Sequence, residues 1–355
     1  MREFELRALV LVVLFFGGIT GTPAAAGAET KKPLFSHVIE KARSLAEAPY
    51  SSGSDEDELP EALSDLTYEE YRDIRFNKDR AIWKDQSPFS VELFHPGFLY
   101  REPVVVHEVV DGSVRTIDYD KSLFDYGRNR DLEGGFEQGL GFAGFRIHFP
   151  VNRQDYRDEV IAFLGASYFR MVGRGQSYGL SSRGLAVNTA HPEGEEFPRF
   201  VEFWLVRPEP GAGTMTFHAL LDSESVTGAY RFDLMPGADT VLDVKVHLFA
   251  RRDVKKLGVA PLTSMFMHGE NSTRFFDDYR PEVHDSDGLL MHTGGGEWIW
   301  RPLTNGRELR VSTLLGRNPK GFGLLQRDRE FDHYLDAESH YERRPSHWIK
   351  PLAGD

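Results

Sequence analysis

The stretch RPEVHDSDGLLMHTGGGEWIWRPL, Arg280 to Leu303, concentrates acids, histidines, tryptophans, arginines and a glycine triplet. Carboxylate chemistry is the first possibility. Glycoside cleavage needs two acids flanking the bond, one to protonate the leaving oxygen and one to activate water or attack. Asp285 or Asp287 could supply one of them, with His284 beside it. Two other readings compete. In an Asx-type turn the aspartates bond their own backbone. A calcium loop needs further ligands and a distal glutamate at fixed spacing, and Glu297 lies at the wrong distance. Further along, Trp298 and Trp300 alternate with Ile299, so in a strand both indoles share one side. They could fill a core, or form an aromatic face for sugar C–H groups with Glu297 and Arg301 bonding hydroxyls.

Two other segments carry polar density. Ala166 to Ala186 contains GRGQSYG, which lacks the Lys-Ser/Thr ending of a nucleotide loop. Its glycines allow bends, and Arg170, Gln176, Tyr178, Ser181 and Arg183 are expected to line a surface. His333 to Trp348 mixes acids, Tyr341 and an arginine pair, and reads most simply as a solvated helix or loop. No nucleophile elbow and no HExxH zinc motif is present. With no cysteine in the chain, thiol catalysis is excluded. Carboxylates remain the best catalytic option, with no cofactor and no metal implied.

The elements that must position these groups are mostly strands. The chain has 355 residues, 40% hydrophobic and 12% aromatic, enough for a large core. A formal net charge of -13 gives no basic footprint for nucleic acid. FSVELFH, VVVHEVV, FRIHFPV, RFVEFWLVRP, MTFHALL, AYRFDLMP, TVLDVKVHLFAR and LRVSTLL are short, β-branched or aromatic, and often alternate. With few helices between them, the pattern predicts an all-β protein of two large stacked antiparallel sheets. Helical spacing predicts a helix in PLFSHVIEKARSLAEAPY, through Leu34, Val38, Ala42 and Leu45, and a shorter helical stretch in LPEALSDLTYEEYRDIRF. SSGSDEDELP between them reads as an acidic linker. The start has the layout of a secretory signal over residues 1–28. A short charged MREFELR precedes an apolar run below the ~20 residues that span a bilayer, and TPAAAGAE offers a small-residue cleavage site. No twin arginines precede the run, so the general secretory route to the periplasm is expected.

Taken together, GLGFAGFRIHFPVN, LGASYFRMVGRGQSYGLSSRGLA, GEEFPRFVEFWLVRP, KLGVAPLTSMFMHGEN, the Arg280–Leu303 stretch and NPKGFGLLQRDREFDHY resemble the periplasmic glucan biosynthesis proteins G and D, from about Phe35 onward. The resemblance implies a β-supersandwich of galactose-mutarotase type with a few short helices, bearing a long glucan cleft. It also implies a small immunoglobulin-like domain after the sandwich. The ligand would be a β-1,2-glucan, and a further partner an inner-membrane glucan synthase. The cleft is similar to an inverting β-1,2-glucanase site, with the HDS aspartate as general base, here Asp285, and a tyrosine beside the substrate and a water relay, here Tyr341. His284, Asp287, Glu297, Trp298, Trp300, Arg301, Arg183 and Tyr178 are the expected substrate contacts.

Residues 29–88 read as a helical lead-in with linker and 89–355 as the sandwich, which by the same resemblance is expected to be incomplete at its end. The general acid and the immunoglobulin-like domain would fall beyond Asp355, so the chain is expected to be marginal in stability and inactive in hydrolysis. A non-catalytic glucan-binding or export role is the alternative. A mutarotase-like epimerase is a weaker reading by fold analogy alone.

Overall fold

The structure is a computed structural model. It describes the backbone of residues 3–5, and residues 33–51, 59–132, 139–272 and 277–352. The expected export signal falls outside the described residues apart from 3–5, and most of the acidic linker falls outside them too.

Two sheets form the body. One has seven strands, among them Val105–Val110, Arg199–Val206, Met215–Asp222, Val226–Met235 and Val241–Ala250, with Glu3–Glu5 at one edge. The other has six, running from Leu262–Thr263 through Ser181–Arg183, Tyr168–Met171, Tyr156–Leu164 and Gly144–Arg153 to Ser90–Phe94. The protein is an all-β sandwich, as the alternating stretches imply. One pairing departs from the antiparallel rule: Val105–Val110 lies parallel to Arg199–Val206. The chain traverses most of the six-stranded sheet between these two strands, so it returns to its neighbour in the same direction.

Period-two alternation decides what each face carries. Leu93, Phe145, Phe163 and Phe169 are aligned across the six-stranded sheet and point inward. They meet Phe203, Phe217 and Phe232 of the other sheet. Phe145 and Phe203 are edge-to-face at 4.9 Å, and Phe163 and Phe217 at 5.5 Å. Each such ring stabilises the fold by roughly 1.5–3 kcal/mol through burial alone.

The outer face of the seven-stranded sheet is covered by the helix Leu34–Glu47. Val38 and Ala42 pack on Trp204, Leu220, Ala229 and Phe249. The Arg251 side chain donates to Leu45 O at 2.8 Å, satisfying an end carbonyl of that helix. The second predicted helical stretch splits into Glu61–Ser64 and Tyr68–Asp73, the latter opened by a Thr67–Glu70 capping box.

The outer face of the six-stranded sheet is polar. Glu92, Arg146, Ala162 and Arg170 are register neighbours, alternating with the inward phenylalanines. The chain from 277 onward folds against the Ser177–Ser182 end of this sheet: Arg343 O accepts from Ser177 N–H at 3.1 Å, and Ser182 bonds His347 at 3.2 Å. That part of the chain builds its own four-stranded sheet of Trp298–Pro302, Gly288–His292, Gly321–Leu325 and His347–Ile349, in that order.

One expected strand does not form. LRVSTLL, 309–315, is irregular and exposed, with Leu315 96% accessible. Its apolar residues have β character, but no strand pairs with it, and a lone strand has no ladder to stabilise it. The His333–Trp348 segment is a loop rather than a helix, and it is solvated only in part. A 3-10 turn at Phe331–His333 leads into it and a second, Tyr341–Arg343, lies within it, with Tyr334 and Tyr341 buried.

Candidate functional site

Asp285 follows the two-residue strand Val283–His284. Its N–H donates to Met265 O at 2.8 Å, which fixes the peptide, and the carboxylate feels the charges of Arg344 and of Arg170 from the six-stranded sheet. The carboxylate is mostly buried, with 15% of the side chain exposed, and Arg344 Nε stands 3.7 Å from Oδ1. Burial pushes the Asp285 carboxyl above the usual aspartate range, while the charges of Arg344 and Arg170 pull it the other way. A carboxylate held this way is a stronger base than an exposed one and keeps nearby cations to hold its charge.

Tyr341 is buried, its ring 5.9 Å from that of Tyr334, and the Arg344 guanidinium lies 5.1 Å from its ring centre. Arg344 thus borders both residues. Its aliphatic stem runs over Gly179, where a Cβ would come within 3.0 Å of it, so the last glycine of GRGQSYG makes room for the arginine. Arg170 completes the group from the sheet, its Nε donating to Ser181 Oγ at 2.9 Å. Tyr178 is largely buried, and burial together with the Glu159 charge pushes its hydroxyl well above the ordinary tyrosine value.

Asp287 faces elsewhere. Its Oδ2 accepts from Arg327 Nε at 2.8 Å, and burial raises its carboxyl against the pull of Arg327. It lines a cavity of about 250 Å³ with Phe266, Glu270, Asn271, Glu282 and Asp328. His284 forms the fully buried wall, bonded to Glu282 at 2.7 Å and to Gln326 at 2.8 Å and stacked on Phe266. His284 was expected to touch substrate, but both ring nitrogens are used inside the protein. Glu282, Asp328 and His333 bring ligand atoms within 4.8 Å of one another. These donors already serve each other: His333 Nδ1 bonds Asp328 Oδ2 at 2.5 Å, and Glu282 holds His284.

The remaining expected contacts divide by exposure. Glu297, Trp298, Trp300 and Arg301 stand on one hairpin, turned through the glycine triplet. Trp298 is 56% exposed, stacked on His292 at 4.1 Å and near Trp348 at 5.7 Å. Trp300 instead fills the notch left by Gly288, where a Cβ would sit 2.2 Å from its ring, and Arg327 covers it at 4.3 Å. Neither reading of the tryptophan pair holds for both: one indole is an open face, the other is packed. Arg183 is scaffold. It is buried, paired with Glu195 at 2.7 Å and flanked by the Tyr168 and Phe197 rings.

Sequence reading missed Arg344, Arg327 and Gln326. The arginine pair after Tyr341 was visible as composition, but only the fold turns Arg344 toward Asp285.

A sequence model of the periplasmic glucan biosynthesis protein family, MdoG, matches residues 34–354. The chain belongs to this family. It is 54% identical over 316 residues to glucans biosynthesis protein G of Ralstonia nicotianae, covering 89% of this chain and 62% of that protein. The match to protein G of Rhodopseudomonas palustris is 49% over 332 residues, 93% of this chain and 65% of the relative. A probable glucans biosynthesis protein D of Shewanella oneidensis is 50% identical over 318 residues, 89% of this chain and 58% of the relative. The chain thus spans somewhat less than two thirds of the length of these MdoG relatives. Among the described residues no helix is long and apolar enough to cross a membrane.

Proposed function

We propose that this chain is a periplasmic protein of glucan biosynthesis that binds the β-1,2-linked glucan backbone and presents Asp285 to a glycosidic bond. The observation that carries the reading is the Asp285 carboxylate, held above its ordinary pKa by burial and bordered by Arg344. Family membership supports the substrate class. In an inverting cleavage the Asp285 carboxylate takes a proton from water as the water oxygen attacks the anomeric carbon, and a separate acid protonates the departing oxygen. Arg344 keeps Asp285 charged beforehand, and Tyr341 borders the place where the water and sugar would lie.

A second reading, binding without cleavage, is favoured by a specific feature. The acids closest along the chain are engaged, Glu282 with His284 and Asp287 with Arg327, so neither is free as the proton donor. Incubation with purified linear β-1,2-glucan separates the two. Shorter oligosaccharides that disappear with Asp285→Asn support cleavage. Saturable binding without shortening supports a carrier. Absence of both overturns the assignment of this ligand.

A further inference from the structure

The Asp285 group is assembled from two chain segments far apart in sequence, and one side chain joins them. Gln326 is 1% exposed and immediately follows the strand Gly321–Leu325. Its Nε2 lies 3.0 Å from His284 O, 3.0 Å from Tyr341 O and 3.0 Å from the Tyr334 hydroxyl. Two of these partners are carbonyls, which only accept, so the amide nitrogen must face them. Oε1 is then left for His284 Nδ1–H at 2.8 Å, and the other ring nitrogen meets Glu282 at 2.7 Å. The orientation of the amide is therefore set by its partners.

We propose that Gln326 is a positioning residue for the Asp285–Tyr341 site, clamping the two segments through one buried amide. This rests on the reading of that site as the glucan-binding centre. The carbonyl of His284 belongs to the peptide whose nitrogen is that of Asp285. With Gln326 on the carbonyl and Met265 on the N–H, that peptide plane is held from both sides. The carbonyl of Tyr341 also accepts from Arg344 N–H at 3.1 Å, so the same amide steadies the turn that carries Arg344. The backbone of Gln326 is tied in turn to Ser346 Oγ at 3.0 Å. The two N–H hydrogens of the amide go to the two carbonyls, and a buried polar network of this kind specifies one arrangement, which apolar packing does less sharply. Gln326 itself need not touch the glucan: it sets where Asp285, Tyr341 and Arg344 stand.

The test uses the whole 355-residue chain with Gln326→Glu, which keeps the shape and the acceptor and removes the donors. Gln326→Met is the companion in case the buried acid prevents folding. Two quantities are read: affinity for purified linear β-1,2-glucan by calorimetry, and hydrogen exchange at the Asp285 and Arg344 amides. Affinity should fall tenfold or more, with faster exchange at those two amides than in the Phe-lined core. The Glu variant should regain affinity as the pH is lowered, when its protonated carboxyl donates again. A merely structural role would lower the melting temperature and leave the affinity of the folded fraction unchanged, which would overturn the proposal. If the unmodified chain does not bind the glucan, the reading of the site fails. The exchange data then decide the clamp alone, and unchanged protection at both amides would sink it.

Discussion

Arg344 Nε lies 3.7 Å from Asp285 Oδ1, and the same guanidinium lies 5.1 Å from the Tyr341 ring. An arginine 59 residues further along the chain (344 − 285) thereby holds the charge of the one carboxylate in this group. The contact exceeds hydrogen-bond length, so it acts through charge more than through a directed bond. An opposite charge at this range favours the ionised form.

Removing that charge should show in titration. Arg344→Met keeps the stem on Gly179 and deletes the cation. The Asp285 carboxyl, already raised by burial, should then move further up. Carbon-detected NMR of the carboxyl measures this directly. Any cleavage activity should lose its acid limb at a higher pH, because the base must be ionised to work. A carboxyl resonance that titrates as before would show that Arg344 is electrostatically idle.

Asp285→Asn separates function from stability. Cleavage, where present, should fall by roughly 10²–10⁴-fold as a general base is lost. Stability should move the other way at neutral pH. The folded pKa of Asp285 is raised, so its ionised form is disfavoured in the fold, and the protein gains from that group as the pH falls through the folded value. The Asn variant should melt slightly above the parent at pH 7, and the difference should vanish well below pH 4. Equal melting curves at both pH values would contradict the burial argument.

Three histidines set the opposite slope. Burial pushes His95, His218 and His347 down to about 4. A depressed pKa contributes stability that is complete above the unfolded value near 6.5 and is lost as the pH falls toward the folded value. Between these limits each group costs about 1.4 kcal/mol per pH unit. Urea midpoints measured from pH 7 to 4.5 should fall steeply. His218→Gln should flatten the slope by about one proton's worth, and an unaltered slope would exclude His218 from the effect.

The two tryptophans of the hairpin should behave differently. Gly288→Ala places a methyl 2.2 Å from the Trp300 ring and should cost about 1–3 kcal/mol by overpacking. Trp298→Ala removes an open indole and should change stability by about 0.5 kcal/mol at most. If Trp298 stacks on a sugar ring, glucan affinity should drop several-fold in that variant. Thermal melts and calorimetric titration of both variants distinguish the roles, and a large melting loss for Trp298→Ala would reverse the assignment.

What the sequence determined by itself was the alternation. The strand stretches from FSVELFH to TVLDVKVHLFAR carry a period of two, and sheets form on them because only that period puts one face in a core. Leu34, Val38, Ala42 and Leu45 likewise place one helix face on the sheet. LRVSTLL carries similar residues yet forms no strand, because pairing depends on a neighbour and not on composition. The acids and aromatics of Arg280–Leu303 were legible as a polar cluster, but their fates were not. Asp285 turns to Arg344, Asp287 to Arg327 and His284 into a buried network, since adjacent side chains point to different surroundings. Gln326 is the furthest case. A lone glutamine in sequence looks like any surface residue, and only the tertiary structure brings two distant carbonyls to its amide. Local periodicity is written in neighbouring residues, whereas a site is written in contacts between segments that meet only after the chain has folded.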